Sequence, residues 1–217
     1  MTIAAAPQGR SRPPYLILAV LALIGGGAIG VLWYLAPGPQ NGKPVVASYG
    51  KAAIGGPFRL TDDTGRTVTN RTYAGKYMLV YFGYTYCPDI CPTELQIMGR
   101  AIAMLGPDAK RVQPLFITID PARDTVKEMA DYVSHFSPAP MGLTGTPEQI
   151  ASVAKAYRVY YKKVPGHSAK GDDYQMNHSS LIYFMGPDGA YIDNFPPGTT
   201  PGDMTKHVRE IVRSGAQ

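Results

Sequence analysis

The 217-residue chain contains two cysteines, one tryptophan and four histidines. Two cysteines do not make the disulfide framework of a small secreted domain, and a chain of this length buries enough apolar surface to fold without one. Acidic residues are missing from positions 1–35, where Arg10 and Arg12 are the only charged side chains. The other 19 of the 21 basic residues are scattered among the 16 acids, with no dense Lys/Arg run. A nucleic-acid footprint needs clustered positive charge, so that class of partner is excluded. Internal repeats and low-complexity tracts are also absent.

The run without charge from Tyr15 to Leu35 is mostly apolar. At about 1.5 Å per helical residue it reaches about 31 Å, close to the ~30 Å hydrocarbon core of a bilayer. Tyr15 at one end and Trp33-Tyr34 at the other suit the two interfaces. The apolar region of a cleaved signal peptide is shorter and ends in small residues, which Leu35-Ala36-Pro37 does not match. The expectation is a transmembrane anchor at 15–35. Arg10 and Arg12 place residues 1–14 in the cytoplasm and the rest of the chain across the membrane. Nothing before Tyr15 forms an Arg-rich amphipathic transit helix, which favours a bacterial inner membrane with the soluble domain in the periplasm. Gly26 and Gly30 have the spacing of a helix-packing motif, though a single match in a glycine-rich span is weak.

Residues 36–56 are rich in Pro, Gly and small polar residues and read as a linker. A domain at 57–217 follows. Pro57–Thr69 reads as a hairpin turning at Asp62-Asp63-Thr64-Gly65. Met78–Phe82 is a buried-strand run, and Leu95, Met98, Ile102 and Leu105 make one apolar helix face. Leu115–Ile119 reads as a strand that starts after Pro114, because proline cannot donate to a ladder. Val126, Met129, Val133 and Phe136 mark a second helix. Thr146-Pro147-Glu148-Gln149 is a capping box that opens a third. Ser180–Met185, a turn at Gly186–Gly189 and Ala190–Phe195 form a second hairpin, and Thr200-Pro201 opens a last helix. Alternating strands and helices predict an α/β domain with a central mixed sheet.

Both cysteines lie in Tyr84-Thr85-Tyr86-Cys87-Pro88-Asp89-Ile90-Cys91-Pro92, between the apolar strand and a helix beginning near Pro92. That spacing puts both sulfurs on one side, and the free N–H groups of a helix start favour thiolates. Two adjacent thiolates either exchange electrons as a dithiol–disulfide pair or grip a soft metal ion. A pair of small buried core residues is the plainer alternative. A metal needs further ligands. His135, His167 and His207 sit where solvated or capping roles suffice. His178 directly precedes an apolar strand, and would face the cysteine turn if that strand runs antiparallel to the one feeding the turn. A Cys₂His set suits copper better than structural zinc, which takes four protein ligands. Met176, two residues earlier, is the one methionine placed near such a site, with packing as its plainer role.

The chain resembles the SCO/SenC family through Gly83–Pro92, Ile117–Thr125, Tyr157–Tyr161, Asp173–His178 and Gly186–Gly189. The resemblance runs from about Gly55 to the C-terminus. It implies a thioredoxin-like fold and a copper ion, Cu(I) or Cu(II), held by Cys87, Cys91 and His178. It also implies a metallochaperone rather than an enzyme, delivering copper to the dinuclear CuA centre of cytochrome c oxidase subunit II. The alternative is a thiol–disulfide oxidoreductase that reduces the CuA-site cysteines through a redox-active Cys87–Cys91 disulfide. Asp120 matches a family carboxylate near the site and is an accessory candidate, with turn capping as its other reading. Oxidation of the pair would remove both thiolate ligands, so a thioredoxin-like reductant is an expected partner, together with an upstream periplasmic copper donor. Many members carry Asp immediately before the histidine, where this chain has Asn177. A neutral amide supports the imidazole less than a carboxylate does.

Overall fold

The computed structural model describes residues 54–166 and 174–215. The expected anchor at 15–35, the Gly26/Gly30 pair, nearly all of the linker and His167 lie outside these residues. Among the described residues no helix is long and apolar enough to cross a membrane.

The first hairpin pairs β1 (Arg59–Asp62) with β2 (Thr67–Thr69). Its turn is held by the buried Asp62 carboxylate, which accepts from the Thr64 and Arg66 N–H groups, the Thr64 hydroxyl and the Arg66 guanidinium. β3 (Tyr77–Gly83) is buried along its whole length. It lies parallel to β4 (Val112–Thr118) and antiparallel to β8 (Ile182–Met185). A strand covered on both sides reads as a continuous apolar run, and Tyr-Met-Leu-Val-Tyr-Phe is one. With β5 (Met141–Thr144) and β9 (Tyr191–Phe195) the order across the seven-stranded sheet is β2-β1-β5-β4-β3-β8-β9. A separate two-stranded hairpin joins β6 (Tyr161–Pro165) to β7 (Tyr174–His178).

Four helices flank the sheet. Helix α1 (Ile90–Leu105) packs along α4 (Pro201–Ser214), α2 (Val126–Ser134) covers β5, and α3 (Pro147–Ala156) lies against β1. The residues that mark the apolar face of α1, namely Leu95, Met98, Ile102 and Leu105, are all buried. The capping box at Thr146 forms as expected, with the Gln149 N–H on the Thr146 hydroxyl and the Thr146 N–H on the Gln149 amide oxygen. Phe136 lies beyond the end of its helix but still packs on the core.

Three local expectations need correction. β4 begins at Val112 and includes Pro114, which sits opposite Leu79 of β3. Proline is tolerated there because the ladder to β5 starts only at Leu115, and the Gln113 side chain donates to the Pro114 carbonyl. Helix α1 starts at Ile90 rather than Pro92, so Pro92 falls in a first turn whose N–H groups have no partner within the helix. His178 does not start β8. It ends β7, and Ser179-Ser180-Leu181 lead from it into β8.

Candidate metal centre

The parallel run of β3 and β4, with β8 antiparallel to β3, brings the end of the cysteine-bearing strand and the start of β8 together at one end of the sheet's strands. Functional groups in open α/β sheets collect at such edges. Cys87 lies in the turn after β3, Cys91 in the first turn of α1, and His178 arrives from the β6–β7 hairpin. Their donor atoms lie within 4.8 Å of one another.

Cys91 is fully buried, and Cys87 is 8% exposed at an open cleft of about 680 Å³ lined also by Pro88, Ile90, Met176, Asn177 and His178. The Cys91 N–H, left without a helical partner, points at Cys87 Sγ at 3.4 Å. Cys91 Sγ is 3.5 Å from His178 Nε2. His178 Nδ1 lies 3.0 Å from the Ser179 carbonyl oxygen, which can only accept, so Nδ1 carries a proton and Nε2 is the ring nitrogen that faces the sulfurs. The imidazole is wedged edge-on against Tyr81 and Tyr84, at 6.2 and 6.0 Å between ring centres.

The pair shares its protons unequally. A hydrogen bond from the Cys91 thiol, with help from His178 and the Cys91 and Asp89 N–H groups, outweighs burial and pulls the Cys87 pKa down to about 4. Cys91 moves the other way, raised by that same bond, by burial and by the negative charge on Cys87. The site thus offers a sulfur that leans to the thiolate, a second sulfur that holds its proton, and an imidazole nitrogen. That soft donor set fits copper, and it lacks the fourth protein ligand of a structural zinc site.

Asp120 is not among the clustered donors. Its buried carboxylate accepts from Arg123 Nε at 2.5 Å and from the Tyr174 hydroxyl at 2.8 Å, while Arg123 Nη1 donates to the Tyr174 carbonyl. The Arg123 guanidinium also lies over the rings of Tyr174 and Tyr86, at 3.6 and 4.6 Å. Asp120 therefore ties the loop after β4 to the first residue of the strand that carries His178. Met176 and Asn177 line the cleft. His135 is the exposed C-cap of α2, and His207 of α4 lies 3.1 Å from the Asp193 carboxylate of β9.

Sequence reasoning missed Asp124. Its fully buried carboxylate accepts from the Thr85 N–H, the Thr85 hydroxyl and the Thr118 hydroxyl, and its backbone carbonyl accepts from Thr144. It joins the cysteine turn to the ends of β4 and β5. Tyr84 was also missed as a brace, although its hydroxyl donates to Gln175 Oε1 at 2.7 Å and so ties the cysteine turn to the hairpin.

Gly83 is required where β3 meets the turn. A Cβ there would stand 2.8 Å from Cys91 Sγ and 2.9 Å from a Phe116 ring carbon. Gly83→Ala is expected to lower stability by about 1–3 kcal/mol through overpacking and to weaken metal binding by displacing the sulfur. Urea denaturation with a copper titration checks this, and wild-type values in both would contradict it.

A family model described as SCO1/SenC matches residues 46–213. The chain is 43% identical over 169 residues to "Protein SCO1 homolog, mitochondrial" of Homo sapiens, an alignment covering 76% of this chain and 54% of that protein. The chain thus spans about half the length of the human relative. It is 41% identical over 209 residues to "Protein SCO2 homolog, mitochondrial" of Bos taurus, covering 93% of this chain and 78% of that one. Among solved structures, Arabidopsis thaliana ScoI with copper bound superposes with a TM-score of 0.69 at 41% identity, covering 75% of this chain and 99% of that one. Bradyrhizobium japonicum ScoI with copper bound gives 0.68 at 45% identity, covering 73% and 99%. The sheet and its flanking helices are the mixed α/β, thioredoxin-like arrangement expected from the sequence.

Proposed function

Because the chain belongs to the SCO1/SenC family, we propose that it is a membrane-anchored metallochaperone that takes up copper at Cys87, Cys91 and His178 and delivers it to the CuA centre of cytochrome c oxidase subunit II. The observation that carries this reading is the convergence of two sulfurs from the cysteine turn and one imidazole nitrogen from a distant hairpin, within 4.8 Å, at an open cleft. Copper is the cargo. Its capture requires Cys91 to lose its proton, and Cys87 is already disposed to be a thiolate. Two thiolates and a neutral imidazole around Cu(I) leave one net negative charge. Cys87, at the cleft, is the sulfur an acceptor reaches first.

The anchor at 15–35, the cytoplasmic residues 1–14, the linker at 36–56 and the periplasmic domain at 57–217 of a bacterial inner-membrane protein belong to this reading. They rest on the apolar run and on the bias of Arg10 and Arg12. So do a thioredoxin-like reductant and an upstream copper donor, because an oxidised pair has no thiolate to offer.

A second activity is favoured by the asymmetry of the pair. Cys87 is the thiolate-leaning sulfur that borders the cleft, and Cys91 stands fully buried behind it. Cys87 would attack a substrate disulfide and release one thiol. Cys91 would then close the Cys87–Cys91 disulfide and release the second. The client's two sulfurs are reduced as the pair is oxidised.

The test is transfer. The copper-loaded chain is mixed with apo, reduced CuA domain, and the CuA absorption is followed beside an equal amount of free copper with chelator. Faster, chelator-resistant filling from the chain is the expected result. Filling no better than from free copper would remove CuA as the client.

A further inference from the structure

His178 is presented by a hairpin that shares no ladder with the seven-stranded sheet. Its placement against the sulfurs therefore depends on what fastens β7 to the rest of the domain. Among the described residues, besides the His178–Cys91 contact, three hydrogen bonds do so. One is the Tyr84 hydroxyl on Gln175 Oε1, and the other two meet at the loop after β4. There Arg123 Nη1 donates to the Tyr174 carbonyl at 3.1 Å, and the Tyr174 hydroxyl donates to the Asp120 carboxylate that Arg123 Nε also holds.

Arg123 reaches the cysteine turn as well. Its guanidinium lies 4.6 Å from the centre of the Tyr86 ring and 3.6 Å from that of Tyr174. Lys163 Nζ of β6 lies 3.5 Å from the same Tyr174 ring. Tyr86 immediately precedes Cys87, and Tyr174 begins the strand that ends in His178. One planar cation thus bridges the segment that carries a sulfur and the segment that carries the imidazole. A guanidinium stacks on rings with its faces while its edge donates hydrogen bonds, which an ammonium cannot do. The Arg123 side chain is 17% exposed, and its Nη2 is buried with no hydrogen-bond partner among the described residues. A lysine would neutralise Asp120 without burying that extra group. The ion pair alone therefore does not account for an arginine here, and the stack does.

We propose that Arg123 is a positioning residue of the metal centre: by clasping the β6–β7 hairpin to the cysteine turn, it sets where His178 stands against the two sulfurs. This rests on the copper reading above and deepens it. Arg123 itself offers no lone pair to a metal. Without its clasp the imidazole is released, while Cys87 and Cys91 keep their places on the turn and α1. Nitrogen ligation then weakens and dithiol chemistry persists.

The test compares full-length wild type, Arg123→Lys, which keeps a charge beside Asp120, His178→Ala and the double variant. In the reduced apo-protein, Arg123→Lys should speed hydrogen exchange of the β6–β7 amides about tenfold and leave those of β3 and β4 unchanged. Its Cu(I) affinity, read by competition with a colorimetric chelator, should fall about tenfold. In the His178→Ala background the same substitution should change affinity by less than about twofold, because no imidazole remains to be placed. Tyr86→Leu removes one exposed ring of the stack without touching Asp120, and should give the same pattern at several-fold size. It decides the matter if Arg123→Lys does not fold. Unchanged hairpin exchange would overturn the proposal, as would wild-type affinity, or an equal fall in affinity with and without His178. If the wild type takes up no copper the copper reading falls, and hairpin exchange alone decides the role of Arg123, with wild-type rates overturning it.

Discussion

Replacing His178 with alanine should lower Cu(I) affinity by more than about a hundredfold while leaving dithiol–disulfide exchange at Cys87 and Cys91 in place. Changes in groups that only support a metal ligand cost about 10–100-fold, and removing the ligand itself costs more. His178 supplies the one nitrogen donor among the clustered groups, with Nδ1 pinned to the Ser179 carbonyl so that Nε2 faces Cys91 at 3.5 Å. Exchange needs the sulfurs. The main influence lowering the Cys87 pKa is the Cys91 thiol, with His178 secondary, so the nucleophile survives the change. Cys87→Ser and Cys91→Ser should lose both properties. A chelator competition assay and an aromatic-disulfide exchange assay on the same samples separate the two. Retained affinity in His178→Ala would remove the histidine from the site, and lost exchange would make it part of the thiol chemistry.

Asp124→Ala should lower the stability of the reduced apo-protein by about 3–5 kcal/mol, the cost of removing one partner from a buried charged network. Three donors lose their acceptor at once: the Thr85 N–H, the Thr85 hydroxyl and the Thr118 hydroxyl, at 3.1, 2.6 and 2.5 Å. Thr85 is two residues before Cys87, so the turn should loosen and copper affinity fall as well. The pH dependence has a definite sign. Burial, against the pull of the Thr118 and Thr85 bonds, raises the Asp124 pKa above the ordinary carboxylate value. The folded state therefore binds this proton more tightly than the unfolded chain. The wild type should gain stability relative to the variant as pH falls through the raised value, and the gain should level off below the ordinary one. Urea denaturation between neutral pH and about pH 4 measures this. A loss under about 1 kcal/mol would show that the threonines find other partners.

The cysteine turn was legible because its signals agree: an unbroken apolar run into Gly83, both cysteines within five residues, and a helix pattern behind them. The hairpins at Pro57–Thr69 and Ser180–Phe195 and the helix caps were legible from turn and capping chemistry, which is local. Less was visible where partners come from distant segments. β5 has four residues with Gly142 among them, and a Cβ at that glycine would meet Val133, Met129 and Asp63. Its strand character comes from lying between β4 and β1. The β6–β7 hairpin is half polar and carries Lys162 and Lys163 exposed, so no apolar alternation announced it. His178 does cluster with the two cysteines, but not at the start of β8, where the sequence suggests it. β8 does run antiparallel to β3, the condition for a histidine at its start to face the turn, yet the histidine is presented by the hairpin before it. Asp124 reads as a turn residue in Pro121-Ala122-Arg123-Asp124, and only the alignment of Gly83 with Thr118 reveals its partners.

X-ray absorption of the reduced full chain loaded with one equivalent of Cu(I) tests the central claim most directly. Two sulfur neighbours and one imidazole nitrogen on copper are the predicted result, with the nitrogen signal absent in His178→Ala. Failure of the reduced chain to retain copper, or copper coordinated without both sulfurs, would contradict the account.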